Sequence, residues 1–250
     1  IDEGHILHKS HIKFMERWNN KPFIGLSATP LRPDLGKYYK NLVRASSVKG
    51  LTDAGTLVPV KAYSPSYDQM QNILDTIAIA RGDFAERDLS EKLNTKELIG
   101  DIVSTWQEKA DNKLTLCFAV DIAHSKSIVD DFLMAGVQAE HMDAYTPYEE
   151  RRAIRERFKR GDTRVLSSVN VLGIGFDAPH AEVGIMARPT LSQALYIQFV
   201  GRLLRTFEGK DHALLLDHAG NTLRFGLPVD FIVPDLSDLE KQDSRKKRKE

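Results

Sequence analysis

The 250-residue sequence has a single cysteine and no excess charge of either sign, since 35 Lys and Arg residues balance 35 Asp and Glu residues. One cysteine excludes an intramolecular disulfide framework and the cysteine-rich ligand set of a structural zinc site. That residue, Cys117, lies in the apolar segment 114–120, which is typical of a buried strand. Because the net charge is balanced, any surface that binds a polyanion must be local.

Long apolar segments are also missing. None approaches the roughly eighteen consecutive apolar residues of a membrane-spanning helix, and the sequence does not open with a secretory signal. We therefore expect a cytoplasmic protein that does not associate with membranes. Because the sequence begins at Ile1 and runs at once into Asp2 and Glu3, we also expect it to start inside a domain of a longer protein.

What the sequence does contain is a regular alternation of apolar patterns from about residue 95 onward. Helical periodicity predicts helices at 96–109, 123–135, 147–160 and 191–206. Apolar runs predict strands at 114–120, 137–142, 164–169, 182–187 and 212–217. This order favours an α/β fold in which crossover helices join parallel strands. Thr146 and Thr190, each followed three residues later by Glu or Gln, are predicted helix N-caps, and Gly161 is a predicted helix end.

The two flanking parts are less regular. Near the start, the patterns predict a helix at 9–18 and a short strand at 22–26. Residues 61–94 are polar and interrupted by Pro and Gly, so apart from a short helix within 73–80 they are expected to form a linker or inserted arm. The last residues, 227–250, are expected to form a polar, basic tail.

Two adjacent carboxylates stand at the beginning of the sequence, in Asp2-Glu3-Gly4-His5. In nucleotide hydrolases, a carboxylate at a strand end holds Mg²⁺ through water, and a neighbouring carboxylate orients the attacking water. Asp2 would take the first role and Glu3 the second. A plain surface turn could show the same four residues, so this motif needs support from others.

Arginines and a glycine-rich turn give that support. Arg202 and Arg205 are three residues apart within Gln198–Arg205, which predicts one shared helix face suited to a transferring phosphoryl group. A solvated helix face with salt bridges is the alternative. Upstream, Gly175 belongs to a turn that can approach a nucleotide closely while Asp177 binds a ribose hydroxyl, although an ordinary glycine-rich loop would look similar.

These motifs occur together and in one order. Asp2–His5, Ser27–Thr29, Gly175 with Asp177, and Gln198–Arg205 resemble motifs II, III, V and VI of superfamily 2 helicases. The sequence resembles in particular the bacterial RadD/YejH-like helicases. The segments that carry this finer resemblance are Gly175–His180, Arg188–Thr190, Gln198–Arg205, Gly209–Lys210 and Asp217–Asn221. Helicases of restriction enzymes and XPB-like helicases share the core motifs less closely.

The resemblance implies two RecA-like domains that hold ATP and Mg²⁺ between them, with a nucleic-acid strand crossing both. By this correspondence, residues 1–60 are the incomplete remnant of the first domain, with motifs II and III. Residues 61–94 are the linker, and residues 95–226 are the second domain, a parallel sheet flanked by helices. The basic tail 227–250 follows.

The resemblance also assigns roles to residues of the first part. Asp2 and Glu3 resemble the Mg²⁺-binding and water-activating carboxylates. His5 resembles a residue that communicates across the ATP cleft, and Ser27 and Thr29 resemble the motif that couples hydrolysis to movement.

In the second part, Gly175 and Asp177 resemble the ATP-binding segment, with Asp177 at the ribose. Gln198 resembles the partner of the cleft histidine, and Arg202 and Arg205 resemble the arginines that sense the γ-phosphate. Each of these roles comes from the resemblance and remains an expectation.

Nucleic acid is the partner that the resemblance implies, and DNA is expected over RNA. Ser168 lies where the family often contacts the nucleic-acid backbone. The predicted helix 149–160 carries six basic residues in twelve, and its Ile154 and Phe158 would face the core. Its basic face could contact phosphates, or it could simply be a solvated surface.

The 250 residues contain no Gly-x-x-x-x-Gly-Lys-Ser/Thr loop to bind the β- and γ-phosphates of ATP. The expectation is therefore an ATP-dependent DNA helicase or translocase of bacterial or phage origin, of which this chain alone does not hydrolyse ATP. Two alternatives stay open. One is a non-catalytic nucleic-acid-binding or regulatory module, and the other is the motor of a restriction complex; partner proteins of DNA repair or restriction would fit the motor readings.

Overall fold

The structure, a computed structural model, describes residues 1–64, 67–80, 82–169 and 177–239, apart from the side chains of residues 67–69. The chain divides into two compact units. Unit 1 comprises residues 1–50 and the segment that starts at Val229, and unit 2 comprises residues 51–228.

Helices and short strands alternate along the described residues. The α-helices are α1 Lys9–Arg17, α2 Val48–Asp53, α3 Tyr67–Leu74, α4 Glu86–Leu93, α5 Lys96–Lys109, α6 Ile122–Met134, α7 Tyr148–Arg160, α8 Gln193–Leu203 and α9 Asn221–Phe225. The strands are β1 Val60–Tyr63, β2 Ile79–Ala80, β3 Asp83–Phe84, β4 Thr115–Phe118, β5 Ala139–Met142, β6 Val165–Ser168, β7 Val183–Met186 and β8 Ala213–Asp217. Short 3₁₀ helices lie at Leu35–Lys37 and Pro228–Asp230.

Unit 2 is built on a six-stranded sheet in the order β1-β8-β7-β4-β6-β5, in which every pair is parallel. The strands β6 and β7 are buried along their whole length, as expected where helices cover both faces of a parallel sheet. This confirms the predicted α/β fold, a RecA-like parallel sheet flanked by helices.

The core of unit 2 forms where α5 and α6 pack on the sheet. Phe132 of α6 is fully buried, and its ring meets Trp106 of α5 edge to face with centroids 5.4 Å apart. The indole N–H of Trp106 donates a hydrogen bond of 2.6 Å to Thr115 Oγ1, so this large side chain is buried without an unsatisfied donor. The helix thereby fixes the start of β4, the central strand.

Helix starts differ in detail from the predicted N-caps. Thr146 does not cap α7, because its hydroxyl donates to Asp143 Oδ1, and the helix begins after Pro147. Ser192 caps α8 by accepting a hydrogen bond from the Leu195 N–H, whereas the hydroxyl of Thr190 donates to Asp83. In both cases a tertiary or loop acceptor competes successfully for the predicted capping hydroxyl. Gly161 does end α7, in the left-handed conformation at φ 83°.

The region expected to be a linker, residues 61–94, contains parts of the folded unit 2. β1 is an edge strand of the main sheet, where Val60 pairs with Ala213. β2 and β3 form a two-stranded antiparallel sheet, and α4 follows them. Phe84 and Leu89 are buried there in a small apolar cluster. The structure thus places the unit boundary near residue 50, about ten residues before the expected one.

Unit 1 has less regular structure. Residues 22–26 do not form the predicted strand, although Leu26 N–H donates to the Ile1 carbonyl and Gly4 N–H donates to the Leu26 carbonyl. The Ile1 ammonium also donates to the Ile24 carbonyl at 2.7 Å, but the segment joins no sheet of the described residues. In the predicted tail, Leu239 is buried against Leu7, Met15 and Leu35. Residues 240–250 lie outside the described residues.

Candidate functional site

In unit 1, the structure brings the two motifs at 2–5 and 27–29 together. His5 Nδ1 lies 2.7 Å from Ser27 Oγ, and the same hydroxyl accepts a hydrogen bond of 3.0 Å from the Thr29 N–H. Thr29 is completely buried. These contacts join residues 22 positions apart and tie His5 to the 27–29 turn.

The approach of these segments depends on two glycines. A Cβ at Gly4 would lie 2.7 Å from the Gly25 Cα, and a Cβ at Gly25 would lie 2.7 Å from the Tyr39 hydroxyl oxygen. A side chain at Gly4 would therefore push the two segments apart, and one at Gly25 would collide with the ring of Tyr39. Glycine at both positions is what lets the carboxylate motif sit against the segment that leads to Ser27.

The two carboxylates have different surroundings. Asp2 is exposed, and its Oδ1 accepts the Glu3 N–H at 3.0 Å. Glu3 has φ 46°, a left-handed conformation that non-glycine residues rarely adopt and that is often found at functional sites. Its Oε2 is buried, accepts no hydrogen bond from the described residues, and lies 3.3 Å from His5 Nδ1. A water or a hydrated cation would satisfy this oxygen.

Burial lowers the pKa of His5 below its ordinary value, and the nearby Glu3 opposes the shift only in part. His5 is therefore neutral at pH 7 and can accept as well as donate a hydrogen bond. In the described residues, no group of three or more His, Cys, Asp or Glu side chains could hold a metal ion. With two carboxylates, Asp2 and Glu3 could hold only an ion such as Mg²⁺ that keeps water or other oxygens as most of its ligands.

In unit 2, the predicted residues of α8 separate into two groups. Gln198 and Arg202 are four residues apart on α8 and line a small cavity of about 70 Å³ together with Ser168. Arg205 does not share their helix face, contrary to the prediction from its spacing. Helix α8 ends at Leu203, because the Leu204 carbonyl accepts the Val58 N–H at 2.8 Å and Arg205 bridges to Leu57.

Arg205 lies beyond the end of α8 and forms an ion pair with Asp177. Two residues from separate predicted motifs, 28 positions apart, thus meet in the fold. Both side chains remain exposed, by 45% for Arg205 and 68% for Asp177. An exposed pair of this kind contributes only about 0–1 kcal/mol to stability, so the fold does not require it. Gly175, the other predicted member of this segment, lies outside the described residues.

Lys210 anchors the turn that follows Asp177 through hydrogen bonds to its backbone. Its ammonium donates hydrogen bonds to the Pro179 carbonyl at 3.0 Å and to the Ala181 carbonyl at 2.6 Å. Lys210 is only 7% exposed, and burial lowers its pKa to about 8. A buried cation that contacts only carbonyl groups is costly to place, and it fixes the backbone beside Asp177.

Strand direction separates Ser168 from Asp177 and Arg205. Ser168 is the last residue of β6, so it lies at the carboxyl edge of the parallel sheet. Arg205 bridges to Leu57, just before the start of β1, and therefore lies at the opposite edge with Asp177. Ser168 is 1% exposed, and its hydroxyl has no hydrogen-bond partner among the described residues.

One buried polar network was not predicted from the sequence. Asp83 accepts hydrogen bonds from the Thr190 hydroxyl and the Leu191 N–H, at 2.7 and 2.6 Å. Asn221 accepts the Thr190 N–H at 3.0 Å and donates to the Arg188 carbonyl at 2.9 Å. The network ties β3, the end of β7 and α9 together. The segments 188–190 and 217–221 had been noted for their resemblance, but nothing in their spacing pointed to Asp83.

Part of unit 2 is similar to a known protein family. Residues 94–207 match the family model of the helicase conserved C-terminal domain. This segment, a little under half of the chain, is similar to that domain. A solved structure of the ATP-dependent type ISP restriction-modification enzyme LlaBIII bound to DNA aligns with 86% of this chain and 17% of that chain. Its TM-score is 0.56 at 17% identity, a likeness that shows the fold alone.

Two relatives align over most of the chain. A 51.5 kDa protein of a Lactococcus phage (isolate 7-9) is 30% identical over 91% of this chain, and a Saccharomyces cerevisiae protein with the provisional name ATP-dependent helicase IRC3 is 32% identical over 84%. The chain spans 50% and 31% of the lengths of these two relatives. The finer likeness to RadD/YejH-like helicases stays a prediction.

Among the described residues, no helix has both the length and the apolarity to cross a membrane.

Proposed function

We propose that the protein to which this chain belongs is an ATP-dependent DNA helicase or translocase, and that residues of this chain contribute to its ATPase site. The observation that carries the proposal is the pairing of Arg205 with Asp177. Since this exposed pair adds little to stability, it can break at little cost, and each of its two groups can then bind a nucleotide. Asp177 would then bind the ribose, and Arg205 would neutralise charge on the γ-phosphate.

A second set of proposed catalytic residues lies in unit 1. Asp2 would hold Mg²⁺ through water, and Glu3 would orient the water that attacks the γ-phosphate. The bound Mg²⁺ would neutralise charge on the phosphate oxygens. Burial leaves His5 neutral beside Glu3, and its contact with Ser27 connects the carboxylates to the buried Thr29. We propose this connection as the route by which hydrolysis is coupled to movement.

Gln198 and Arg202 of α8 are also proposed to act on ATP, with Arg202 as a second cation for the phosphates. Both line the cavity that contains Ser168 and lie apart from the Asp177–Arg205 pair. Ser168, at the carboxyl edge of the sheet, is proposed to contact the DNA backbone. The 250 residues contain no phosphate-binding loop, so hydrolysis is proposed for the parent protein and not for this chain alone. A relative from a phage fits the expected bacterial or phage origin.

The role of Glu3 provides the test of the motor against a non-catalytic binding module. In the intact protein, Glu3→Gln should stop DNA-stimulated ATP hydrolysis while ATP still binds, because the amide removes the water-orienting carboxylate and leaves Asp2 for Mg²⁺. The measurement pairs steady-state ATPase rates with binding of a fluorescent ATP analogue. The matched control is Glu16→Gln on the exposed side of α1, which should hydrolyse ATP at the wild-type rate. Equal rates in all three proteins would reject the proposal.

A further inference from the structure

Helix α7 exposes one ordered stripe of side chains. Tyr148, Arg152, Arg155 and Lys159 follow each other at intervals of four, three and four residues, which places them on a single face of the helix. All four are exposed. The buried Ile154 and Phe158 fix the orientation of the helix by packing its other side into the core. We call these four residues the α7 stripe.

The cations of the α7 stripe differ from the other basic residues of the helix. Arg157 is paired with Glu140 and Glu150, and Arg160 is paired with Asp162. Among the described residues, Arg152, Arg155 and Lys159 have no acidic group within ion-pair distance. The helix therefore neutralises its lateral cations and leaves the stripe with a local positive charge, on a chain whose net charge is zero. Such a stripe complements a polyanion.

Two exposed tyrosines stand at the start of the stripe. Tyr148 is 71% exposed and Tyr145 is 84% exposed, which is unusual for side chains of this size. The loop that carries them is firmly held, because Asp143 Oδ1 accepts hydrogen bonds from the Tyr145 N–H and the Thr146 N–H, each at 2.8 Å. Arg151 adds a bond from its Nε to the Thr146 carbonyl at 2.7 Å. The two rings are thus presented to solvent by an ordered backbone.

The position of the tyrosines is equally informative. Met142, the last residue of β5, is in register with Ser168, the last residue of β6. The loop with Tyr145 therefore leaves the sheet at the same carboxyl edge as Ser168. This is the edge opposite to the Asp177–Arg205 pair. The other end of the stripe reaches toward that pair, because Lys159 and Asp177 both act electrostatically on His180.

We propose that Tyr145 and Tyr148 stack on unpaired bases of single-stranded DNA whose phosphates run along Arg152, Arg155 and Lys159. Every base has an aromatic face, so stacking binds a strand without reading its sequence, as a motor protein requires. Cations spaced by one helical turn add a salt-dependent contact to successive phosphates. The inference rests on the proposed function and names the surface and the mode by which DNA is held.

The experiment measures binding of a fluorescent single-stranded oligonucleotide to the intact protein by anisotropy, without nucleotide. Tyr148→Ala and Tyr145→Ala should each weaken binding by roughly 5- to 150-fold, the range expected for the loss of one stacked base. Tyr148→Phe should bind as the wild type does, because stacking does not need the hydroxyl. Tyr63→Ala, at a half-exposed tyrosine on β1, is the matched control and should also bind normally.

Two further measurements distinguish base stacking by the tyrosines from phosphate binding by the cations. An oligonucleotide with abasic sites should bind wild type and Tyr148→Ala about equally. Arg152→Gln and Arg155→Gln should each lower the slope of log affinity against log salt by about 0.7, whereas the tyrosine variants should not change it. Normal affinity of both Tyr→Ala variants, in a protein with DNA-stimulated ATPase activity, would overturn this inference alone. A wild-type protein that neither binds the oligonucleotide nor hydrolyses ATP would overturn the proposed function as well.

Discussion

The two units of the chain differ most in what they do with apolar side chains. In unit 2, Leu116, Ile128 and Phe132 are fully buried between helices and the sheet. In unit 1, Ile24 and Val43 are 75% and 87% exposed. Burying a side chain of this size contributes about 1.5–3 kcal/mol, so most of the stability of the chain resides in unit 2.

The proposed catalytic groups are not confined to the better-packed unit. Asp2, Glu3 and His5 lie in unit 1, which has the smaller core, whereas Asp177 and Arg205 lie in unit 2. Functional groups are often found in less stable parts of a protein, where local opening costs little free energy. The comparison predicts that the backbone around Asp177 and Arg205 is more rigid than the backbone around Asp2, Glu3 and His5.

The largest expected difference between the two units is in the free energy of unfolding. Phe132→Ala should lower the free energy of unfolding of unit 2 by about 3–5 kcal/mol, because it removes a fully buried ring beside Trp106. The sequence has two tryptophans, one in each unit, at 18 and 106. Urea unfolding followed by Trp106 fluorescence, in a Trp18→Phe background, measures the effect.

The matched change in unit 1 is Met15→Ala, at a buried residue of its small cluster. It should shift the transition reported by Trp18 and leave the Trp106 transition in place. If both substitutions shifted both transitions equally, the two units would unfold as one, and the comparison between them would be wrong.

A smaller effect concerns acid stability of unit 2. Burial lowers the pKa of His124 from 6.5 to about 4. Between these values the unfolded chain binds a proton that the folded chain does not, so stability should fall as the pH is lowered from about 6.5 to 4. His124→Asn should remove this part of the pH dependence, whereas His212→Asn, at a more exposed histidine, should retain it. Free energies of unfolding at pH 7, 5.5 and 4.5 test this, and an unchanged pH dependence in His124→Asn would contradict it.

The sequence predicted the sheet of unit 2 well, because its strands are short apolar runs and its helices have clear periodicity. The predicted helix 96–109 and α5 coincide. The prediction missed β1, since Val60–Tyr63 lies between prolines and follows no apolar pattern. This strand exists because it pairs with β8, about 150 residues further along the chain. Local sequence cannot show such a partner.

The candidate site shows the same limit. Its residues were found from motifs, but their geometry depends on distant contacts. The spacing of Arg202 and Arg205 predicted one helix face, and contacts with Leu57 and Val58 ended the helix before Arg205. The meeting of His5 and Ser27 likewise depends on the close approach at Gly4 and Gly25.

The measurement that tests the central claim most directly is the ATPase rate of the intact protein with saturating single-stranded DNA, for wild type, Arg205→Ala and Arg160→Ala. Arg160 is the control, since it also forms an exposed ion pair in unit 2, with Asp162. If Arg205 neutralises charge that develops in the transition state, Arg205→Ala should lower kcat by roughly 10³ to 10⁵ with little change in DNA binding. Arg205→Lys should restore only part of the rate, because an ammonium cannot reproduce the planar fork. Similar rates for wild type, Arg205→Ala and Arg160→Ala would contradict the account.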